Sequence, residues 1–317
     1  MPINTSFLKA ILKILFLYIS ISFFFINQSI AKNIKIPLHI WSSQLVGAEI
    51  IGTLFEEVGE DVEYIPFDSQ EVYNSLCKGE VDIVHEVWEG AFGEYFELEV
   101  SKECVIDIAQ HTAKVREGWW YPLYVKEICP GLPNWKALDD CAKSFSLDES
   151  GTGNFIAGPD LWQKKDIDRI NALDMNFKVI KKNSADEIWA ELARAIKKKK
   201  PIVVFNWTPN YIESLYSGEF VEFPEYEPQC LEDETWGINK ESLYDCGNPL
   251  NGYIKIGINK NFKKNFPKAY EVIKKVSFTN MDIAQMGKFV DVDGMSVSKA
   301  AEFWLDANQY KWKDWID

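Results

Sequence analysis

Residues 201–209, PIVVFNWTP, contain the pattern that decides the fold: an apolar run ends in a tryptophan, and a helix start follows at once. The run 202–205 predicts a buried strand, with Trp207 at its carboxyl end. Thr208 is a residue type that caps helices, and Pro209 suits the first helical position, so we expect a helix to begin there. This order indicates one strand–helix unit of an α/β protein.

The same pattern occurs twice more along the chain. Residues 36–43, IPLHIWSS, place Trp41 after a strand, and residues 81–90, VDIVHEVWEG, place Trp88 after another. In an open α/β sheet, ligands bind in the crevice beyond the carboxyl ends of the strands. We therefore expect Trp41, Trp88 and Trp207 to converge on one crevice.

A crevice lined by tryptophans suits a methylated ammonium ion. Tryptophan faces are the best aromatic partners for a cation, and aromatic cages recur around quaternary ammonium groups, which have no N–H to donate. The formal charge of −14 also attracts cations and repels nucleic acid. The chain has twelve tryptophans, and core packing is the ordinary role of any one of them; Trp189, for example, shares a predicted helix face with Leu192. The repeated placement at strand ends favours a binding role for the three above.

The remaining chain alternates between strand-like and helix-like runs. Strands are expected at residues 34–40, 62–67, 81–85, 144–147, 177–180, 202–205 and 253–259. Helices are expected at residues 42–58, 68–76, 186–199, 267–276 and 282–289, with a long C-terminal helix from residue 296. This alternation predicts a mainly parallel sheet flanked by helices, and the lack of a flexible linker suggests two lobes joined by short crossovers.

The first 31 residues have the layout of a secretory signal peptide. Lys9 and Lys13 are followed by an apolar run at residues 14–26 and by Ser29-Ile30-Ala31, which resembles a cleavage site. The run is short for a membrane span, although a retained N-terminal anchor is the alternative. We therefore expect an exported protein.

An exported chain meets an oxidising compartment, where cysteines form disulfides. Two pairs each bracket a short, turn-rich stretch, and we expect these to be bonded: Cys129–Cys141 and Cys230–Cys246. Cys77 and Cys104 are left over, and the sequence leaves open whether they pair. No cysteine stands two residues from another, so no metal site is expected.

Several motifs make the chain recognisable. They are Val87-Trp88, Phe205-Asn206-Trp207-Thr208-Pro209 and Gly158-Pro159-Asp160-Leu161-Trp162. With them, essentially the whole chain after residue 31 resembles the periplasmic substrate-binding proteins of ABC importers for glycine betaine, proline betaine and related osmolytes. In that family three tryptophans form a prism around the trimethylammonium group. The resemblance implies that Trp88, Trp162 and Trp207 are their counterparts.

The resemblance is closest to a branch that binds trimethylamine N-oxide. The shared motifs are Trp41-Ser42-Ser43-Gln44, Glu86-Val87-Trp88-Glu89-Gly90-Ala91-Phe92, Trp119-Trp120-Tyr121-Pro122 and Asp245-Cys246-Gly247-Asn248-Pro249. The family implies a hinged, two-lobed α/β fold, the type II periplasmic binding-protein fold, with the ligand between the lobes. It implies lobe one from residues 32–118 and 253–317, and lobe two from residues 119–252. The implied partners are a membrane permease and an ATPase; we expect a periplasmic monomer without a cofactor.

Three further groups of residues are weaker candidates for the site. Glu86 and Glu89 flank Trp88, and one of them could counter the ligand's nitrogen or share a proton with an N-oxide, although a solvated face explains them equally well. Asn206 could donate to a ligand oxygen. Trp41 is a candidate fourth wall of the cage, and Trp119, at the expected lobe crossover, is a weaker candidate.

Other functions stay open at this stage. A secreted α/β hydrolase could use Glu86 and Glu89 as paired carboxylates, but no G-x-S-x-G, H-E-x-x-H or Walker A motif is present, so we do not expect an enzyme. A binding protein for choline or another amine is the second alternative. The sequence does not decide which methylated solute is preferred.

Overall fold

The computed structural model describes residues 32–160, 162 and 165–317. The predicted signal peptide, residues 1–31, lies outside the described residues. Within the described part of the chain, no helix is long and apolar enough to cross a membrane.

The described residues form ten strands in three sheets. The strands are β1 Ile34–Leu38, β2 Val62–Pro66, β3 Ile83–Trp88, β4 Val105–Gln110, β5 Arg116–Pro122, β6 Gly153–Ala157, β7 Phe177–Lys181, β8 Val203–Thr208, β9 Gly218–Phe220 and β10 Ile254–Asn259. The first sheet pairs β1 with β2, the second has the order β3-β10-β4, and the third has the order β7-β6-β8-β5-β9. The first sheet thus contains early strands alone, and the second combines early strands with one strand from late in the chain.

Helices connect and cover these strands. They are α1 Ser42–Glu57, α2 Val72–Lys78, α3 Glu89–Ser101, α4 Val125–Ile128, α5 Trp135–Asp140, α6 Lys165–Ala172, α7 Ala185–Lys197, α8 Ile212–Leu215, α9 Gln229–Glu232, α10 Phe262–Asn265, α11 Pro267–Ile273, α12 Asn280–Asp291, α13 Val297–Ala307 and α14 Gln309–Ile316. The α/β class is therefore confirmed.

The sheets are mixed, so the expectation of a mainly parallel sheet is wrong. The pairs β1–β2, β6–β7 and β6–β8 are parallel, whereas β10 runs antiparallel to both β3 and β4, and β5 runs antiparallel to β8 and β9. The antiparallel pairs arise because β10 and β5 each begin at the end of the sheet where their neighbouring strands finish. Local periodicity does not encode that direction.

Three local expectations also differ from the structure. Residues 144–147 do not form a strand, because Ala142–Phe145 is a short 3-10 helix and Ser146 Oγ donates to the carbonyl of Asp148 at 2.8 Å, closing a turn. No helix begins at Pro209: Thr208 belongs to β8, the Thr208–Pro209 peptide is cis, and the next helix starts at Ile212. The C-terminal helix is interrupted at residue 308, between α13 and α14.

The structure contains three disulfides. Two are the expected pairs, Cys129–Cys141 and Cys230–Cys246. The third joins Cys77 at the end of α2 to Cys104 just before β4. All six cysteines are bonded, as suits a chain that folds in an oxidising compartment.

Candidate functional site

Four tryptophans surround one small cavity with a volume of about 30 Å³. Its lining consists of Trp41, Trp88, Ala91, Phe92, Glu117, Trp162, Phe205 and Trp207. Glu117 is the one charged residue type in that lining, and the other non-tryptophan residues are apolar. The structure therefore brings together the four tryptophans that the sequence singles out most strongly.

The chain places each of these rings just beyond or at the carboxyl end of a strand. Trp88 is the last residue of β3, and Trp207 is the penultimate residue of β8. Trp41 follows β1 and immediately precedes α1, and Trp162 lies in the connection from β6 to α6. Gly158 is needed in that connection, because a Cβ atom there would lie 2.5 Å from Cε3 of the Trp162 ring.

The rings meet at right angles. Trp41 and Trp162 are edge to face, with ring centroids 6.0 Å apart and planes at 90°. Trp162 and Trp207 meet in the same way at 5.4 Å and 87°. Phe92 stacks beside Trp41, with centroids 6.2 Å apart. Perpendicular walls direct more than one aromatic face toward the same space, which is the arrangement that a compact cation requires.

Glu86 lies behind two of these walls and does not line the cavity. It is 2 % exposed, and its Oε2 atom accepts hydrogen bonds from Nε1 of Trp41 at 2.7 Å and from Nε1 of Trp88 at 3.1 Å. Burial raises the pKa of Glu86 to about 7, although bonds from Trp41, Trp88 and Ser43 oppose that rise. The carboxyl group thus contacts the indole N–H groups of Trp41 and Trp88, and both rings line the cavity.

Glu117 is a site residue that sequence reasoning missed. It lies in β5, directly opposite Trp207 in the β5–β8 register, and it is 7 % exposed. Burial raises its pKa to about 8, while the backbone N–H groups of Ala91 and Gly90 oppose the rise. Within the described residues its Oε2 atom has no hydrogen-bond partner. At neutral pH the carboxyl group is therefore mostly protonated and can donate a hydrogen bond into the cavity.

Arg169 ties Glu117 to the loop closed by the second disulfide. Nη1 of Arg169 pairs with Asp166 at 2.9 Å, Nε donates to the carbonyl of Cys246 at 2.6 Å, and Nη2 donates to Oδ1 of Asn248 at 2.8 Å. Nδ2 of Asn248 in turn donates to the carbonyl of Glu117 at 3.1 Å. This buried network fixes the backbone from which the Glu117 side chain projects.

Besides Glu86, two predicted site residues lie outside the cavity lining. Trp119 is fully buried; its Nε1 donates to Asp166 at 2.8 Å, and its ring stacks on Phe155 with centroids 3.9 Å apart. Asn206 is also fully buried, and its Oδ1 accepts from Nδ2 of Asn210 at 3.3 Å. Both residues support the third sheet from within its core.

Two other residues that the sequence analysis considers also lie outside that lining. Glu89 begins α3, and its Oε2 atom accepts from the backbone N–H of Tyr253 at 3.2 Å. Trp189 packs against the ring of Trp207, with centroids 5.2 Å apart. Trp189 is therefore a core residue that also backs one wall of the cavity.

One group of metal-ligand residue types lies close together in the described chain. It consists of Cys77, Glu99 and Cys104. The two cysteine sulfurs are bonded to each other, so neither can act as a thiolate ligand.

Comparisons with known proteins show the family of this chain. Residues 32–307 match the family described as the substrate binding domain of ABC-type glycine betaine transport systems. The trimethylamine N-oxide-binding protein of Pelagibacter ubique (strain HTCC1062) is 41% identical over 289 residues, which cover 89% of this chain and 90% of that protein.

Solved structures show the same fold at lower identity. The closed lactococcal OpuAC with glycine betaine has a TM-score of 0.67 at 17% identity, covering 90% of this chain and 100% of that one. An ABC-transporter choline-binding protein with choline has a TM-score of 0.70 at 16% identity, covering 92% and 93%. The fold is the two-lobed type II periplasmic binding-protein fold, and this chain belongs to the substrate-binding proteins of ABC-type glycine betaine transport systems.

Proposed function

We propose that this protein captures trimethylamine N-oxide in the cavity of Trp41, Trp88, Trp162 and Trp207 and delivers it to the permease of an ABC importer. The observation that carries the proposal is the chemistry of the lining, in which aromatic faces surround a single buried carboxyl group. The 41% identical relative is named for binding this solute.

The lining matches the two ends of an N-oxide. The methylated nitrogen is positively charged and carries no N–H, so aromatic faces are its natural partners. The single oxygen is a strong acceptor close to that nitrogen. Glu117, with its raised pKa and an unpartnered Oε2 atom, supplies one hydrogen-bond donor in the same cavity as the aromatic faces. One guest therefore satisfies both the faces and the carboxyl group.

Glycine betaine and choline are the competing guests. Glycine betaine carries a carboxylate that requires several donors, and apart from the tryptophans and Glu117 the lining side chains are Ala91, Phe92 and Phe205. Choline carries a longer hydroxyethyl arm, which needs more room beyond the methyl groups. The small cavity with one polar group favours the shorter N-oxide.

The guest is held between two lobes. We infer lobe one from residues 32–118 with 253–317, and lobe two from residues 119–252. In support, β10 pairs with both β3 and β4, whereas strands β5 to β9 share the third sheet. Trp41 and Trp88 then belong to lobe one, and Trp162 and Trp207 to lobe two. An ion pair at 2.6 Å between Lys165 and Glu94 also joins these two groups of elements.

The rest of the functional setting follows from the family. We propose that residues 1–31 direct export to the periplasm and that the mature chain acts there as a monomer without a cofactor. It binds its solute and hands it unchanged to a membrane permease powered by an ATPase. This function requires no hydrolytic step of Glu86 or Glu89. Glu86 accepts hydrogen bonds from two indole N–H groups, and Glu89 accepts one from the backbone N–H of Tyr253.

A calorimetric panel tests the proposal. The purified chain, without residues 1–31, is titrated with trimethylamine N-oxide, glycine betaine, choline and dimethylsulfoniopropionate. We expect the N-oxide to bind most tightly, and proton spectra of the recovered ligand to be unchanged after incubation. Tighter binding of glycine betaine or choline would reassign the guest, and an absence of binding to all four would overturn the function.

A further inference from the structure

We propose that Glu86 is a positioning and specificity-determining residue, whose single carboxylate oxygen orients two walls of the cage and makes their faces more attractive to a cation. This role deepens the proposed function and rests on it, because the walls matter only for a guest inside them. Glu86 acts through Trp41 and Trp88 and does not touch that guest.

The first support is the geometry of β3. Side chains alternate along a strand, so Glu86 and Trp88 project from the same face. Oε2 of Glu86 accepts from Trp88 of its own strand and from Trp41, which lies 45 residues earlier in the chain. An indole N–H can only donate, and it does so within the plane of its ring. One oxygen atom therefore fixes the planes of two rings that belong to separate segments.

The second support is the unusual charge balance around Glu86. Every residue of β3 is buried, and Glu86 is the one carboxylate among them. Within the described chain Glu86 forms no ion pair, whereas buried Asp166 is paired with Arg169. A buried carboxylate without a cation is costly, so its position directly behind the cage calls for a function. A methylated ammonium guest supplies positive charge on the other side of the two rings.

The third support is the chemistry of the N–H bond itself. A hydrogen bond to an ionised acceptor is stronger than one to a neutral acceptor and polarises the donor. Electron density moves from the N–H into the indole ring, and a more negative face holds a cation more strongly. Phenylalanine or tyrosine at positions 41 and 88 would offer a face without this ring N–H. The two tryptophans and Glu86 thus act as one unit.

The experiment compares the parent with Glu86→Gln and Glu86→Ala at about pH 7.5, between the pKa values of about 7 for Glu86 and about 8 for Glu117, so that Glu86 is mostly ionised and Glu117 mostly protonated. Glutamine keeps the shape and an acceptor oxygen but removes the charge, and alanine removes the acceptor as well. Chains with ¹⁵N-labelled tryptophan report the indole N–H resonances, and Trp41→Phe and Trp88→Phe identify the two that belong to the pair. Glu99→Gln is the matched control, because Glu99 is a buried carboxylate, 4 % exposed, that pairs with Lys102 away from the cage.

We expect Glu86→Gln to move both indole resonances upfield and to weaken binding of trimethylamine N-oxide about tenfold, the size of one strengthened cation–π contact. Glu86→Ala should weaken it further, and Glu99→Gln should change neither. Glu86→Gln carries the test if Glu86→Ala does not fold. Parent-like affinity in Glu86→Gln, or unmoved resonances, would overturn the role. If the parent binds none of the panel solutes, the proposed function fails, whereas the resonances still decide whether Glu86 holds the two rings.

Discussion

Trp162 meets Trp207 edge to face, with ring centroids 5.4 Å apart and ring planes at 87°. Trp41 completes a second right angle with Trp162, at 6.0 Å and 90°. Because Trp162 is perpendicular to both of the other rings, the three rings do not stack and form adjoining walls of the cavity.

Trp207→Ala should weaken binding of the methylated solute by one to a few kcal/mol, roughly tenfold to several hundredfold, because one aromatic face is lost. Trp207→Phe should lose less, since a face remains. Calorimetric titration of both variants measures the difference. If Trp88→Ala and Trp207→Ala both bind as tightly as the parent, the cage does not hold the ligand.

The control for this series must lie away from Trp207. Trp189 is unsuitable because its ring packs on Trp207 at 5.2 Å. Trp304 is fully buried and instead contacts Phe278 and Trp315. Trp304→Phe should lower the melting temperature and leave the affinity of the folded protein unchanged. A loss of affinity there would show that the effects at Trp207 are not local.

Binding should weaken with rising pH, because Glu117 must be protonated to donate to the N-oxide oxygen. Burial raises the pKa of Glu117 to about 8, so the donor form is present below that pH and is lost as the pH rises through it. Glu117→Gln keeps an N–H donor that does not titrate, so its affinity should stay level from about pH 8 upward, where Glu86, with its pKa of about 7, is already ionised. Calorimetry across neutral and alkaline pH decides the point. An identical decline in parent and variant would assign the pH dependence to another group.

Gly90→Ala should disturb Glu117 without disturbing the fold. A Cβ atom at residue 90 would lie 2.4 Å from Oε2 of Glu117, so the carboxyl group must move. That oxygen is at the end of a flexible side chain, and the variant should therefore fold and lose affinity. Gly118→Ala is the matched control, since its nearest neighbour is Cδ1 of Phe220 at 3.6 Å. Equal affinities of the two variants would contradict this role for Glu117.

The disulfide Cys77–Cys104 should stabilise the fold without contributing to the site. It closes a segment with a sequence separation of 27, and neither cysteine lines the tryptophan cavity. In the chain-entropy model a loop of this size is worth roughly 3 to 4 kcal/mol, which a double serine variant should lose in denaturant unfolding. Affinity at low denaturant should be retained. Free thiols at these positions in the untreated protein would count against the bond.

Stability of the ligand-free protein should pass through a maximum at about pH 6.5. Burial lowers the pKa of His39, His85 and His111 to about 4, 3 and 4, so acid protonates the unfolded chain first and stability falls below pH 6.5. Burial raises the pKa of Glu86 and Glu117 from 4.5 to about 7 and 8, so the folded chain keeps protons that the unfolded chain has lost, and this stabilisation disappears as the pH rises toward 8. Below pH 6.5 the three histidines outweigh the two carboxyl groups, and above it the carboxyl groups dominate. Melting temperatures across pH test this. A flat profile between pH 6.5 and 9 would contradict the burial of the two carboxyl groups.

The sequence predicts the walls of the cage better than its polar group. Trp41, Trp88 and Trp207 lie at or just beyond the ends of strands that finish at the cavity. An apolar run that ends in tryptophan can be recognised in the sequence alone. Glu117 lies in β5, which runs antiparallel to β8 and so begins at the cavity where β8 ends. Glu117 therefore lies near the start of its strand, and a pattern based on the carboxyl ends of strands does not include it. The same reversal places Trp119 two residues further along β5, where it is core.

The order of strands in a sheet likewise cannot be predicted from the residues of one strand. The run at 253–259 predicts a strand, and β10 forms there, but nothing in its own residues selects β3 and β4 as neighbours. That choice depends on long-range packing. Register depends on the same packing, and the β10 pairings shift at Gly257 with both partners.

The central place of β10 in the second sheet also sets an order of events during synthesis. The ribosome releases β3 and β4 long before it reaches the strand that separates them, since chains emerge from the N-terminus. Until residue 259 has emerged, both early strands keep unpaired edges, and unpaired edges attract other chains. A product cut short before Ile254 therefore has every residue that lines the cavity, but it lacks the completed second sheet that holds Trp88 at the end of β3. Only a nearly full-length chain can become a receptor for the solute.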